Sequence, residues 1–598
     1  MKRDDRSCRF RLAAWAAAAC FLVPGGGALV PVLAAGTEPA SVPAAIRVAY
    51  GAGKKKVVIP PGVYRFQPTN DHGHLAFSDL ADFEIDASGA TFVWQGQTEE
   101  GLRFAKCRNV KLRGATLQRG TAAFTQGTVA AIAPDGKSCD VRIDAGYPND
   151  ADDPKSFGEK LTAHIFDPKL RQWKASTPDF ACTRVERLGE GRFRLSCEPA
   201  LAAERVNVGD LFVLRRTCAP EINIVDCHGI DIADVTIQGA GGVGVKEEGG
   251  EGGGHYTFSV TYGSRPAGAG VDPLVASASG AFGSHGVRRG PVLEGCYFEG
   301  TCGDGIAIHG AYARVDHAEG KTLFVDCVTD RVPFRPGEPI CLYDRQGAPA
   351  GRAVVRAIEA REGTKAAKDS VHPSFTKGTL HEFALILDEA AAAESDFLVS
   401  APGACGAGYV ARSNSIRNHR GRGLYLGAAD GVVEKNFLDG STIAGIVLAP
   451  DLAENEADYS RKVVIRNNTI RHAGYATTGP RSEQVGALTV AGGRGLGHEG
   501  IRIEGNTFLT NAGVNLQIEH ARDVLVVNNR FNDANRTPCR SGSERGIDPE
   551  AIIWMSDCRG IRFEGNTYKG RGPFGKQVVG VSATAEFDGL KGGMLLDR

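Results

Sequence analysis

Several short stretches carry side chains able to move protons. Asp304 and His309 share the segment GDGIAIHG (Gly303–Gly310), and Arg422 and Tyr425 fill matching places in RGRGLYLG (Arg420–Gly427). An acidic loop, DLAENEADYSR (Asp451–Arg461), adds Glu454, Glu456 and Asp458, and a glycine-rich one, KEEGGEGGGHY (Lys246–Tyr256), adds Lys246, Glu251 and His255. A carboxylic acid or histidine that gives a proton, set against a carboxylate that takes one, is the equipment of acid–base catalysis. The expected catalytic groups are therefore Asp304, Glu456 and His309. Arg422, Tyr425, Glu251, His255, Asp458 and Lys246 are expected to hold the substrate. Each charged loop is also compatible with a plain solvated turn. Function requires that the loops emerge from one edge of a common scaffold.

The scaffold is written in a returning pattern. GDGIAIHG, GRGLYLGA, IAGIVLAP (Ile443–Pro450), VGALTVAG (Val485–Gly492), AGVNLQIE (Ala512–Glu519) and EAIIWMSD (Glu550–Asp557) each place two branched or aromatic residues one position apart. Period-2 alternation marks a strand with one buried face. A second unit, strand–bend–strand, recurs as KVVIRNNTI (Lys462–Ile470), GIRIEGNTF (Gly500–Phe508) and DVLVVNNRF (Asp523–Phe531). Asn and Gly accept positive φ at such bends, and stacked Asn side chains can bond to one another along a stack. Together the units predict an all-β chain: a right-handed parallel β-helix with three short strands per coil. Stacked strands would carry an inward column Ile306, Leu424, Ile446, Leu488, Val514 and Ile552. The outward column would be Ala307, Tyr425, Val447, Thr489 and Asn515.

Other segments bound the organisation. Residues 1–35 read as a signal peptide, with basic Lys2, Arg3, Arg6, Arg9 and Arg11, an apolar stretch broken at Pro24, and small residues at Ala34 and Ala35. A secreted or periplasmic protein with no membrane contact after leader removal is implied. Residues 36–125 are expected to form an N-terminal cap, with a short helix over Ala45–Tyr50, and the first coils. Residues 126–216 and 315–403 read as inserted antiparallel barrels, with coils at 217–314 and 404–598. Basic and acidic residues balance, 69 against 70, which argues against a nucleic-acid partner. Of the 15 cysteines, those after the leader show no metal-ligand spacing, and no cofactor motif is evident. Cys182 and Cys197 are a plausible disulfide pair, and Cys107, Cys227, Cys296 and Cys558 fall at equivalent points of the repeat.

VRRGPVLEGCYFEGTCGDGIAIHG (Val287–Gly310) resembles the signature stretch of glycoside hydrolase family 110, and RGRGLYLG and NEADYS resemble further landmarks of that family. The resemblance implies a pectin-lyase-like β-helix interrupted by small barrels. It also implies removal of terminal α-1,3-linked galactose with inversion, and a glycan as partner. The family pattern has two adjacent carboxylates where this chain has Gly303-Asp304, and a further one near Gly280. Inversion needs one carboxyl as acid and a second as base, so Asp304 would need a partner from Glu251, Glu456, Asp458, His309 or His285. Three readings stay open: an α-galactosidase-like hydrolase, a polysaccharide lyase or epimerase on the same scaffold, and a glycan-binding protein without turnover.

Overall fold

A computed structural model describes residues 41–590, apart from 70–72, 97, 159–160, 203–204, 217, 368–369, 476–485, 538–546, 549 and 583. The leader expected at 1–35 lies outside the described residues. Among those described, no helix is long and apolar enough to cross a membrane.

The chain is all-β, a parallel β-helix carrying two closed six-stranded antiparallel barrels. The first sheet stacks Leu75–Ser78, Leu102–Ala105, Ile222–Val225, Val245–Glu248, Phe282–His285, Ile306–His309, Leu424–Gly427, Ile446–Leu448 and Leu488–Val490 in parallel register. Ile306, Leu424, Ile446 and Leu488 form the inward column as expected, and all are fully buried. Two expectations slip in register: Leu516 and Ile553, not Val514 and Ile552, continue this column, and Gln517, not Asn515, follows Thr489 outward. The reason is a longer turn ahead of the strand, where Asn515 accepts a hydrogen bond from the Asn511 side chain.

Each bend between the second and third sheets has two parts. The first residue takes the left-handed conformation, as at Ser413, Lys435, Asn467, Gly505, Asn528 and Gly565. The next points its amide inward. Asn414, Asn436, Asn468, Asn506 and Asn529 form a buried ladder in which each Nδ2 donates to the next Oδ1 at 2.9–3.0 Å and to a strand carbonyl, and half-buried Asn566 ends it, accepting from Asn529 and donating to the Val526 carbonyl. Every amide therefore has a partner inside the coil, which removes the cost of burying it. Cys296 heads this ladder. Cys107 and Cys227 stack at the bend after the first sheet, so Cys296 occupies a different bend from them. Helix Val42–Gly51 caps the open end, burying Val42, Ile46 and Ala49; an uncapped end would expose strand edges.

The first barrel spans Phe124–Ile132 to Leu211–Arg215 and enters just ahead of a first-sheet strand. The second, from Tyr312–Glu319 to Leu398–Ser400, leaves directly after Ile306–His309. They therefore stand at opposite edges of the first sheet and make its outer face the floor of a trough. Trp173 Nε1 donates to the Asn418 carbonyl (3.3 Å) and Arg420 pairs with Asp179 (2.6 Å) at the first barrel. At the second, the Asp458 carboxylate accepts from Tyr343 (2.5 Å) and Ser400 (2.7 Å). Cys182 and Cys197 lie directly opposite on neighbouring strands, both as free thiols.

Candidate functional site

The outward positions at the strand ends stack as Glu248, His285, His309 and Gly427. Glu248, His285 and His309 form one wall of a cavity of about 650 Å³ whose other walls include residues of Cys327–Arg335 in the second barrel and the loop at Glu454 and Asn455. The His285 and His309 rings stack at 4.2 Å. Burial, with smaller contributions from His309 and Lys246, drives His285 well below the ordinary imidazole value, so it stays neutral. His309 is tied through Nδ1 to the Gly310 carbonyl (2.9 Å), so its Nδ1 carries the hydrogen and Nε2 is free to exchange a proton. That Nε2 faces Glu456 Oε1 at 3.6 Å. Glu456 sits on the short antiparallel turn Asp451–Glu456, and its buried Oε2 has no hydrogen-bond partner among the described residues.

Glu248 is the carboxylate of this column. Burial works to raise its pKa, but Lys246 (2.8 Å) and Arg331 (2.7 Å) more than offset that and hold it below the ordinary value. Its backbone lies two coils from that of His309, about 10 Å.

Asp304 is placed differently from the expectation of a free catalytic acid. Its Oδ1 accepts from the Arg422 backbone N (2.7 Å) and Nε (2.9 Å), and its Oδ2 from Nη2 (2.5 Å). Arg422 is buried; burial acts to lower its pKa, and Asp304, then Tyr425 and Glu456, raise it further than burial lowers it. The guanidinium lies 3.7 Å over the Tyr425 ring. Asp304 is thus a bidentate partner that positions a buried cation, with neutral His419 beneath, pushed down to about 4 by burial.

Three further placements correct the expectations. Tyr425 does point outward, but it is fully buried in an apolar patch with Ala444, Val447 and Ala449. Asp458 is 2% exposed and ties the second barrel to the coils through Tyr343 and Ser400. His255 starts a strand of the second sheet and is not brought to the cavity. Lys246 reaches the site only through Glu248, and Glu251 is paired with Arg335 (2.6 Å) at its rim.

The glycines at the places where the resemblance expects carboxylates are built into the packing. A Cβ on Gly280 would meet the Asp304 carbonyl at 2.7 Å, and one on Gly303 would meet the Gly280 nitrogen at 2.8 Å. Neither coil has room for an acid there. Arg288, Arg331 and Arg335 of the rim were not singled out from the sequence; the charged, proline-containing run RVPFRPG (Arg331–Gly337) was the available signal.

No family profile and no curated protein matches the chain. Among solved structures, it is similar to the A-module of Azotobacter vinelandii mannuronan C-5 epimerase AlgE6, at 11% identity over 93% of this chain and 96% of that one, with a TM-score of 0.34. The catalytic domain of a GH87 α-1,3-glucanase matches at 10% identity over 93% of this chain and 68% of that one (TM-score 0.36). The Streptococcus pneumoniae surface protein and adhesin PfbA matches at 10% over 91% and 96% (TM-score 0.36). These values are too low to transfer chemistry, and the site is read from its own residues.

Proposed function

We propose that the chain is an exported glycan-processing enzyme working by acid–base chemistry at the His309–Glu456 pair. The facing of Glu456 Oε1 by Nε2 of His309, a residue that lines the cavity, is the observation that carries this reading. With Nδ1 committed to Gly310, Nε2 of His309 and Glu456 Oε1, 3.6 Å apart, are the two places where the transferable proton can sit. That proton is available to a leaving glycosidic oxygen. Glu248, held ionised by Lys246 and Arg331, is the base that activates water. Terminal α-linked galactose is the substrate that the family resemblance implies, with Glu456 and Glu248 replacing the carboxylates absent at Gly280 and Gly303.

A second reading, a lyase or epimerase acting on a uronate, is favoured by the neutral His285 beside His309 and by Arg288, Arg331 and Arg335 on the rim. In that chemistry a neutral imidazole removes the proton next to the carboxylate, and arginine offsets the charge that develops.

The purified protein is incubated with aryl α- and β-galactosides, α-1,3-galactosyl oligosaccharides and polyuronates, with sugar release and ultraviolet absorbance followed together. Release of galactose that vanishes in Glu456→Gln supports the hydrolase, and unsaturated product supports the second reading. Glycan binding with no sugar release, no unsaturation and no change in uronate configuration by proton NMR overturns both and leaves a binding protein.

A further inference from the structure

A second cavity, about 710 Å³, lies on a different sheet, in the angle between the third sheet and the first barrel. Its floor is a stacked outward column: Arg65 pairs in register with Val93, Val93 with Gln118, and Gln118 with Gln238. Gln118 Nε2 donates to Gln238 Oε1 (2.5 Å), which leaves the Gln118 Oε1 and the Gln238 NH2 for a ligand, on residues one coil step apart, about 4.8 Å. Exposed Val63 and the neighbouring Pro266 supply apolar surface alongside these amides. The lining holds three arginines, Arg65, Arg119 and Arg265, and no carboxylate. Arg119 is neutralised by Glu221 (2.7 Å) and Arg265 by Asp272 (2.9 Å). Arg65 has no ion-pair partner among the described residues.

We infer that this hollow is a second, non-catalytic binding site for an acidic oligosaccharide, with Arg65 taking a carboxylate and the Gln118–Gln238 pair taking hydroxyls of the adjoining sugar. The inference rests on the reading of the chain as a glycan-handling protein. It goes beyond that reading by giving the chain a second hold on a polymer. Amides one coil apart suit successive groups of an extended chain, apolar surface suits the C–H faces of pyranose rings, and a lone arginine over an acid-free lining selects anionic sugars.

The test uses the full chain carrying Glu456→Gln, so that nothing is consumed. Hexameric oligogalacturonate and a neutral hexasaccharide are titrated calorimetrically. Oligogalacturonate should bind, weaken as salt is added, and lose about tenfold in affinity on Arg65→Ala, the worth of one charge-assisted hydrogen bond. Gln118→Ala should weaken it too, and the neutral hexasaccharide should bind far less. Absence of oligogalacturonate binding, or affinity unchanged by both substitutions, overturns the site. Turnover at the His309–Glu456 pair in the otherwise wild-type chain is read separately, so the failure of either idea does not disguise the other.

Discussion

Glu247 lies between the outward Lys246 and Glu248 and so points into the coil. It is 2% exposed, accepts a hydrogen bond from the Ser284 hydroxyl at 2.8 Å, and has the buried phenol of Tyr256 beside it. Burial, against smaller opposing effects of Ser284 and Tyr256, pushes its pKa from 4.5 up to about 7. The native state therefore holds this proton up to near pH 7, whereas the unfolded chain releases it near 4.5. Stability from this group is complete below about pH 4.5 and is lost as pH rises through about 7, after which the loss is constant. At 1.36 kcal/mol per pH unit the full loss is about 3 kcal/mol. Glu247→Gln keeps the shape and cannot ionise. We expect the variant to match the wild type near pH 4.5 and to exceed it by about 3 kcal/mol at pH 8. Urea unfolding of both proteins at each pH measures this, taken as a difference so that the other carboxylates cancel. Hydrogen exchange in strand Val245–Glu248 checks that the change is local, since a solenoid can open coil by coil. A stability difference that is the same at pH 5 and pH 8 would refute the reasoning.

Glu456→Gln and His309→Asn should each lower kcat by about 10²–10⁴-fold, the usual worth of a general acid or base, with the unfolding midpoint unchanged; full activity in either removes the proposed pair. Arg422→Met should destabilise the protein by about 3–5 kcal/mol because it strands Asp304 against the trough floor. Thermal melts check this, and a neutral result would show that the ion pair is dispensable. Gly303→Asp should lower the melting temperature and create no galactosidase activity, because its Cβ would collide with the backbone at Gly280; a gain in turnover would show that the coil can yield. Asn468→Ala leaves the Asn436 Nδ2 without its side-chain acceptor inside the ladder and should cost about 1–3 kcal/mol, measured by urea unfolding.

The coil repeat was legible because its causes are local. Alternation sets which residues turn inward, and the left-handed residue followed by a ladder Asn accounts for the NNT and GNT spellings. The hydrophobic columns could be read to within a register slip at Asn515, where a lengthened turn intervenes. The two barrels were legible as interruptions of the pattern. Among the candidate residues, His309 lies against Glu456 and is in the same strand-end column as Glu248, which pairs with Lys246.

What the sequence could not determine is which outward residues meet solvent. Alternation correctly turns Tyr425 outward, yet packing with Ala444, Val447 and Ala449 buries it. Asp304 and Arg422 are 118 positions apart, and only stacking of their coils converts two candidate site residues into one internal ion pair. Asp458, in an acidic loop that reads as a surface, is consumed by Tyr343 and Ser400 of an inserted barrel. Arg331 becomes part of the site only because that same barrel leaves the coil directly after His309. Local sequence determined the strands, the bends and the chemical inventory through short-range sterics and burial periodicity. Tertiary structure decided which of those groups are neutralised, covered or left facing a cavity, because desolvation and charge pairing depend on neighbours that lie far away along the chain.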